Sequence, residues 1–128
     1  LVPVHSLKSV ITQIINCNKG ESVGYNRSFF CKNDMKVGVI PIGHADGISR
    51  FFSKNAHVFI SGKKAEVLGN ICMDVLMVNL NSINCDEGDE VVVFDSKNNA
   101  EDYAKSVGTI SYEILTNLSS RIERKIIR

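Results

Sequence analysis

The chain has 128 residues, of which 44% are hydrophobic and 23% charged, and its formal net charge is +1. This length fits one domain with its own core, and the composition is that of a folded globular protein. The near balance of acidic and basic residues gives no electrostatic basis for binding nucleic acid, and no apolar run approaches the ~20 residues of a membrane-spanning helix. Without a secretory signal pattern at Leu1, a cytoplasmic protein is expected.

Short apolar segments separated by Gly, Asn, Asp and Ser run through most of the chain and predict a mainly β fold. Ser61-Gly62 is expected to form a hairpin turn, and residues 87–89 a tight entry into the last strand. The predicted strands are residues 6–16, 21–25, 35–42, 56–60, 63–68, 71–79 and 90–94.

Helical signals appear only toward the C-terminus. Asn98, with Glu101 three residues later, resembles an N-cap and predicts a helix over residues 98–107, which Gly108 would end. Apolar residues at helical spacing predict a second helix over residues 109–118.

The last residues are predicted to return to a strand over residues 121–127. Basic side chains alternate there with isoleucines, as on the solvent face of a packed element. These basic residues are Arg121, Arg124, Lys125 and Arg128.

A glycine-bounded turn over residues 43–47 follows the predicted strand 35–42 and contains a histidine and an aspartate. Gly43 and Gly47 permit backbone angles that other residues resist, so the turn can present His44 at a fixed place. Histidine suits proton transfer near neutrality. The alternative is that His44 is simply hydrogen-bonded or faces solvent.

Residues 69–78 combine a buried-strand pattern with an acid. A carboxylate among apolar residues is costly to leave unpaired, so Asp74 should meet a cation or a donor, or lie at an exposed strand end. Alternatively, it bonds nearby backbone groups. Met73 would ordinarily lie in the core. Tyr25, at the end of residues 22–25, indicates by itself only aromatic packing with a hydrogen-bonded hydroxyl.

Several kinds of chemistry have little support in the sequence. The nucleophile elbow G-x-S-x-G and the glycine-rich phosphate loops are missing. The three histidines are far apart and have no metal-ligand spacing. The four cysteines form no C-x-x-C pair, so reduced thiols are expected.

Six ordered motifs together resemble the C-terminal β-domain of alanine racemase, a pyridoxal-phosphate enzyme of fold type III. The G-x-A-D-G and I-C-M-D segments are the most diagnostic. The motifs are SLKS (6–9), GESVGY (20–25), PIGHADG (41–47, with Arg50), GNICMD (69–74), EGDEV (87–91) and GTISYEILT (108–116).

The resemblance implies that residues 1–128 are one β-barrel-like C-terminal domain with one or two short helices near its C-terminus. A separate cofactor-binding barrel domain would lie outside this chain, whose apolar start at Leu1 without a methionine is that expected of an excised domain. Pyridoxal 5'-phosphate would be bound mainly by that other domain. No cofactor-binding or metal-binding residue is assigned here.

The resemblance also implies roles for individual residues. Tyr25 would be catalytic, exchanging the α-proton on the face used by the L-enantiomer. The backbone N–H of Met73 would contact the substrate carboxylate. His44, Arg50 and Asp74 would lie along the channel or its rim. Many relatives have tyrosine at the position of His44, and the shorter imidazole would widen the channel.

The implied enzyme interconverts L- and D-alanine, which supplies D-alanine for peptidoglycan. Its active site would lie at a homodimer interface, where this domain covers the cofactor of the partner, so the isolated domain is expected to be inactive. No nucleic acid or membrane partner is expected. Two alternatives stay open: a binding or regulatory β-domain without catalysis, and a racemase for serine or a broader range of amino acids.

Overall fold

The computed structural model describes residues 6–23, 29–48, 56–95, 97, 103–105 and 118–125. Within these ranges the fold is mainly β, as predicted. In chain order the strands are β1 (Leu7–Val10), β2 (Gln13–Cys17), β3 (Ser22–Val23), β4 (Phe29–Phe30), β5 (Met35–Ile40), β6 (His57–Ile60), β7 (Lys63–Glu66), β8 (Leu76–Asn79) and β9 (Glu90–Phe94).

Among the described residues the strands form three antiparallel sheets. The largest sheet has the order β1-β9-β6-β7, the second has the order β2-β5-β8, and β3 pairs with β4 in a two-stranded ribbon. An isolated bridge between Val67 and Val78 joins the end of β7 to β8 and so connects the two larger sheets. Among the described residues the ladders do not close into a complete barrel.

The main core combines side chains from both larger sheets. Along β6, buried and half-buried residues alternate, so one face of the strand lies in the core. Fully burying a Val or Ile side chain stabilises a fold by about 1.5–3 kcal/mol. The side chains with no measurable exposure include Val37, Ile40, Val58, Ile60, Val78 and Val91.

Predicted strands 35–42 and 63–68 end two residues early, at Ile40 and Glu66, and two others differ more, for identifiable reasons. Residues 6–16 divide into β1 and β2 because the Ile11 N–H bonds to Asp89 in one sheet while the Thr12 N–H bonds to Val39 in the other. Within residues 71–79, the strand begins only at Leu76. The residues before it form a turn, in which the Cys72 N–H donates to the Val75 carbonyl.

The C-terminal predictions have mixed outcomes. Residues 103–105 are helical and lie within the predicted helix 98–107. The rest of that helix and residues 109–117 lie outside the described residues. The predicted strand 121–127 is wrong for residues 121–125, which form a turn and an irregular segment. In the part of the chain described here, no helix is long and apolar enough to cross a bilayer.

Candidate functional site

The turn after β5 is closed by hydrogen bonds within residues 43–47. His44–Asp46 forms one 3-10 turn, in which the Asp46 N–H donates to the Gly43 carbonyl at 3.0 Å. In return, the Gly43 N–H donates to Asp46 Oδ2 at 3.0 Å. Gly47 ends the turn at φ 98°, in the left-handed region that favours glycine. Ile42 and Ile48, on either side, belong to the main core and fix both ends of the turn.

This turn lies directly against a second turn, residues 72–75. The His44 N–H donates to the Cys72 carbonyl at 3.2 Å, and the Ala45 N–H donates to the Met73 carbonyl at 2.8 Å. A Cβ added to Gly43 would lie 2.6 Å from the Met73 carbonyl oxygen and closer still to that of Cys72. Glycine is therefore required at position 43 for the close approach of the two turns.

A third segment, residues 118–124, joins the two turns through one arginine. Arg121 Nε donates to Asp46 Oδ1 at 2.6 Å, and Arg121 Nη2 donates to Asp74 Oδ1 at 2.8 Å. The Ser119 N–H also donates to the Asp46 carbonyl at 3.1 Å. We call residues 43–48, 72–75 and 118–124 together the three-segment junction.

Electrostatics at the three-segment junction favour the charged forms of Asp46 and Arg121. Asp46 is the only buried charged or polar residue among the described residues. The hydrogen bond from Arg121 lowers the pKa of Asp46 below its ordinary value of 3.8, and the Gly43 N–H adds to this effect, although burial opposes it. The hydrogen bonds to Asp46 and Asp74 raise the pKa of Arg121. Both groups therefore remain charged at neutral pH.

Three of the five predicted site residues lie at this junction. Asp74 is exposed and meets a cation, Arg121, which is one of the arrangements expected for it. His44 is also exposed, and its Nδ1 lies 3.1 Å from the Ile48 carbonyl. Because a carbonyl only accepts hydrogen bonds, Nδ1 carries the proton and Nε2 faces away from this contact.

Met73 departs from the ordinary expectation for a methionine in an apolar segment. Its side chain is 68% exposed rather than part of the core, because residues 72–75 turn before β8 begins. Its carbonyl is bound by Ala45, whereas its N–H has no acceptor among the described residues. The turn thus holds the peptide groups on either side of Met73 in defined directions.

The two other predicted site residues, Tyr25 and Arg50, lie outside the described residues. The described residues that flank Tyr25 in the sequence, Val23 and Phe29, are cross-strand partners in the β3–β4 ribbon. Val23 shares a second small core cluster with Cys17 and Cys31. All four cysteines are free, as predicted. The hydrogen bond between the Cys17 and Cys31 thiols, 2.9 Å apart, raises the pKa of Cys17 to about 11.

No sequence pattern indicates that Arg121 and Arg124 take part in this junction, because their alternation with isoleucines is typical of a solvent-facing strand. Arg124 instead donates to the carbonyls of Ser119, Ile122 and Leu118 at 2.6, 2.8 and 3.2 Å. One available signal was Asp46, a carboxylate between apolar residues that needed a cation. Among the described residues, no group of three potential metal ligands converges.

Comparison with known proteins identifies relatives over nearly the whole chain. The model of the family described as "Alanine racemase, C-terminal domain" matches residues 4–126. An alanine racemase of Helicobacter pylori strain G27 is 41% identical over 128 residues, covering 97% of this chain and 34% of the relative. An alanine racemase of Vibrio vulnificus strain CMCP6 is 40% identical over 122 residues, covering 94% of this chain and 34% of the relative.

Solved structures show the same correspondence. Alanine racemase from Bartonella henselae, determined with covalently bound pyridoxal phosphate, superimposes with a TM-score of 0.91 at 30% identity, covering 95% of this chain and 34% of that one. The Acinetobacter baumannii enzyme gives a TM-score of 0.89 at 32% identity, covering 94% and 34%. The chain spans about a third of the length of the curated relatives it matches.

Proposed function

Because the chain belongs to the family of alanine racemase C-terminal domains, we propose that it serves as this domain in a pyridoxal-phosphate-dependent racemase. The reaction is the interconversion of L- and D-alanine in the cytoplasm, which supplies D-alanine for peptidoglycan. The observation that carries the proposal is the family match over residues 4–126. The close contact between the G-H-A-D-G turn and the Cys72–Asp74 turn, the two most diagnostic motifs, supports it.

Tyr25 is the acid/base group in this proposal. A racemase needs a base on each face of the α-carbon, so that a proton removed on one side is returned on the other. The tyrosine that ends the V-G-Y motif serves the face used by L-alanine. A phenol has a reference pKa of about 10, so positive groups must stabilise its phenolate for it to act near neutrality. In this proposal those groups come from the cofactor-binding domain.

The Met73 N–H binds the substrate carboxylate. Two features of the junction support this role: the N–H has no acceptor within the described residues, and the carbonyl of the same peptide group, that of Cys72, accepts the His44 N–H at 3.2 Å. A backbone donor held in this way is preorganised for an anionic oxygen. The substrate class is therefore a small amino acid bound by its carboxylate.

The described residues fit a role beside the substrate better than a role in holding the cofactor. The arginine of the junction, Arg121, is already bonded to two carboxylates and is not available for a phosphate. Pyridoxal phosphate, when bound, withdraws electrons from the α-carbon and so stabilises the charge left when the proton departs. In this proposal it is held by the other domain, including the lysine that acts as the second base.

The active site lies between two copies of the protein in this proposal, and this domain covers the cofactor of its partner. His44, Arg50 and Asp74 line the substrate channel or its rim. The exposure of His44 and Asp74 in the described structure supports this assignment. The domain alone, without the cofactor-binding domain, has no racemase activity.

The test is racemisation by the full-length protein, assayed with L-alanine and L-serine, with and without pyridoxal phosphate. We expect cofactor-dependent formation of D-alanine. If L-serine is turned over faster than L-alanine, the protein is a racemase whose preferred substrate is serine. A cofactor-loaded, folded protein that racemises neither amino acid would contradict the proposal and favour a binding or regulatory domain.

A further inference from the structure

Arg121 is bonded to carboxylates from two turns that are far apart in sequence. Its Nε and Nη2 lie 2.6 Å from Asp46 Oδ1 and 2.8 Å from Asp74 Oδ1. Asp46 is buried, whereas 64% of the Asp74 side chain is exposed. One planar guanidinium therefore links a buried carboxylate of the His44 turn to an exposed carboxylate of the Met73 turn.

Arg121 is itself held by the segment that carries it. Its N–H donates to Ser119 Oγ at 3.2 Å, and the Ser119 N–H donates to the Asp46 carbonyl at 3.1 Å. Leu118 and Ile122 pack against the main core. These contacts restrict the backbone on both sides of Arg121, so bonding two carboxylates costs less conformational entropy than it would from a free surface side chain.

Two routes of contacts connect Arg121 to the turn that contains Met73. Through Asp46, Arg121 supports the carboxylate that binds the Gly43 N–H, and the turn begun by Gly43 binds the Cys72 and Met73 carbonyls. Through Asp74, it restrains the residue directly after Met73. The first route reaches the Cys72–Met73 peptide group, whose N–H binds the substrate in the proposed function, and the second restrains the peptide group that follows it.

We infer that Arg121 is a positioning residue for substrate binding, which sets the direction of the Met73 N–H by bonding Asp46 and Asp74 at once. This inference rests on the proposed function. The planar fork of arginine is essential to it, because the single ammonium of lysine cannot reproduce two bonds from one fixed plane.

The test compares Arg121→Lys with wild type in the full-length, cofactor-loaded protein. We expect KM for L-alanine and the inhibition constant of acetate, a probe that carries only the carboxylate, to rise together by about tenfold, with kcat changed by less than about threefold. The matched control is Lys125→Arg, an exchange of cations at an exposed residue of the same end of the chain, which should leave both constants unchanged.

A second variant, Asp74→Asn, addresses the exposed arm alone and leaves the buried pair of Arg121 and Asp46 in place. We expect KM to rise about threefold in the wild-type background and not to rise further in the Arg121→Lys background, because the two changes remove the same link. Fully additive effects on KM would overturn the inference.

The outcomes separate this inference from the proposed function. A purely structural role for Arg121 would lower the melting temperature of Arg121→Lys but leave KM and the acetate inhibition constant as in wild type, and would overturn the inference alone. An inactive wild-type holoprotein would overturn the proposed function and this inference with it.

Discussion

Two glycine-containing turns of this protein show how differently a turn can be held. Ser61-Gly62 connects β6 and β7 with positive φ angles of 53° and 77°, and a Cβ added to Gly62 would meet nothing within 4 Å. The turn at residues 43–47 is in contact with residues 72–75 and 118–124, and a Cβ at Gly43 would collide with backbone.

The difference shows which turn is suited to hold functional groups in place. A hairpin turn satisfies its backbone locally and can vary as long as its φ angles are allowed. The turn at residues 43–47 depends on partners about 30 and 75 residues away, and in return it holds His44 and the Met73 peptide in fixed directions. A turn held by long-range contacts can therefore position its residues, whereas a turn closed by local contacts only connects two strands.

The largest effect on stability is expected from Gly43→Ala. We expect the free energy of unfolding to fall by about 3 kcal/mol, at the upper end of the range for an overpacked core. The reason is that the new methyl group would displace backbone atoms rather than a flexible side chain. Gly62→Ala is the matched control and should cost about 1 kcal/mol, from the left-handed backbone alone. Thermal unfolding of both full-length variants measures the difference, and equal losses would remove the distinction between the two turns.

The second-largest effect on stability is expected from Asp46→Ala. We expect it to lower the free energy of unfolding by about 2 kcal/mol, because it leaves the Gly43 N–H without its acceptor. Asp34→Ala is the control: Asp34 is exposed and accepts one backbone bond, from Lys19 at 2.9 Å. We expect this control to change stability by less than about 0.5 kcal/mol. A loss in Asp34→Ala as large as in Asp46→Ala would show that the junction is no more important than an ordinary loop contact.

Lowering the pH is expected to have a smaller effect on stability, through protonation of Asp46. The pKa of Asp46 is lowered in the folded state, so its ionised form stabilises the fold above the ordinary pKa of 3.8. That contribution is lost as the pH falls below 3.8 toward the lower folded value. The difference in melting temperature between wild type and Asp46→Asn should therefore be constant at higher pH and shrink below about pH 4. A difference that grows on acidification would contradict this sign.

His44→Tyr should have the smallest effect on stability, less than about 0.5 kcal/mol, because the side chain is exposed and its described contact is the bond to Ile48. We expect it to change KM or the preference between alanine and serine more than the proton-transfer rate. Kinetics identical to wild type for every amino acid tried would contradict a channel role for His44.

Local patterns in the sequence were sufficient to predict much of the fold. The strands β5 to β9 and both turns follow from apolar segments punctuated by glycine, and Asp74 has a cation, one of the partners expected for it. β4 was not predicted because its two residues are too few to show a pattern, and Phe30 is 56% exposed. Residues 6–16 contained no signal for the change of sheet at Ile11.

The site was harder to predict because its contacts are long-range. No local pattern relates Arg121 to Asp46, 75 residues earlier in the chain. Met73 was expected in the core because its neighbours are apolar, but the tight turn at residues 72–75 places its side chain outward. The role of Tyr25 rests on its motif, since the residues around it carry no independent chemical signal.

In the proposed function, this domain brings the L-face acid/base group, Tyr25, to a racemase active site. The most direct measurement is exchange of the α-proton of L-alanine and of D-alanine with deuterated water, catalysed by the full-length Tyr25→Phe protein loaded with cofactor. We expect exchange from L-alanine to slow by about a hundredfold or more, and exchange from D-alanine to slow far less. Wild-type exchange from both enantiomers would contradict the claim.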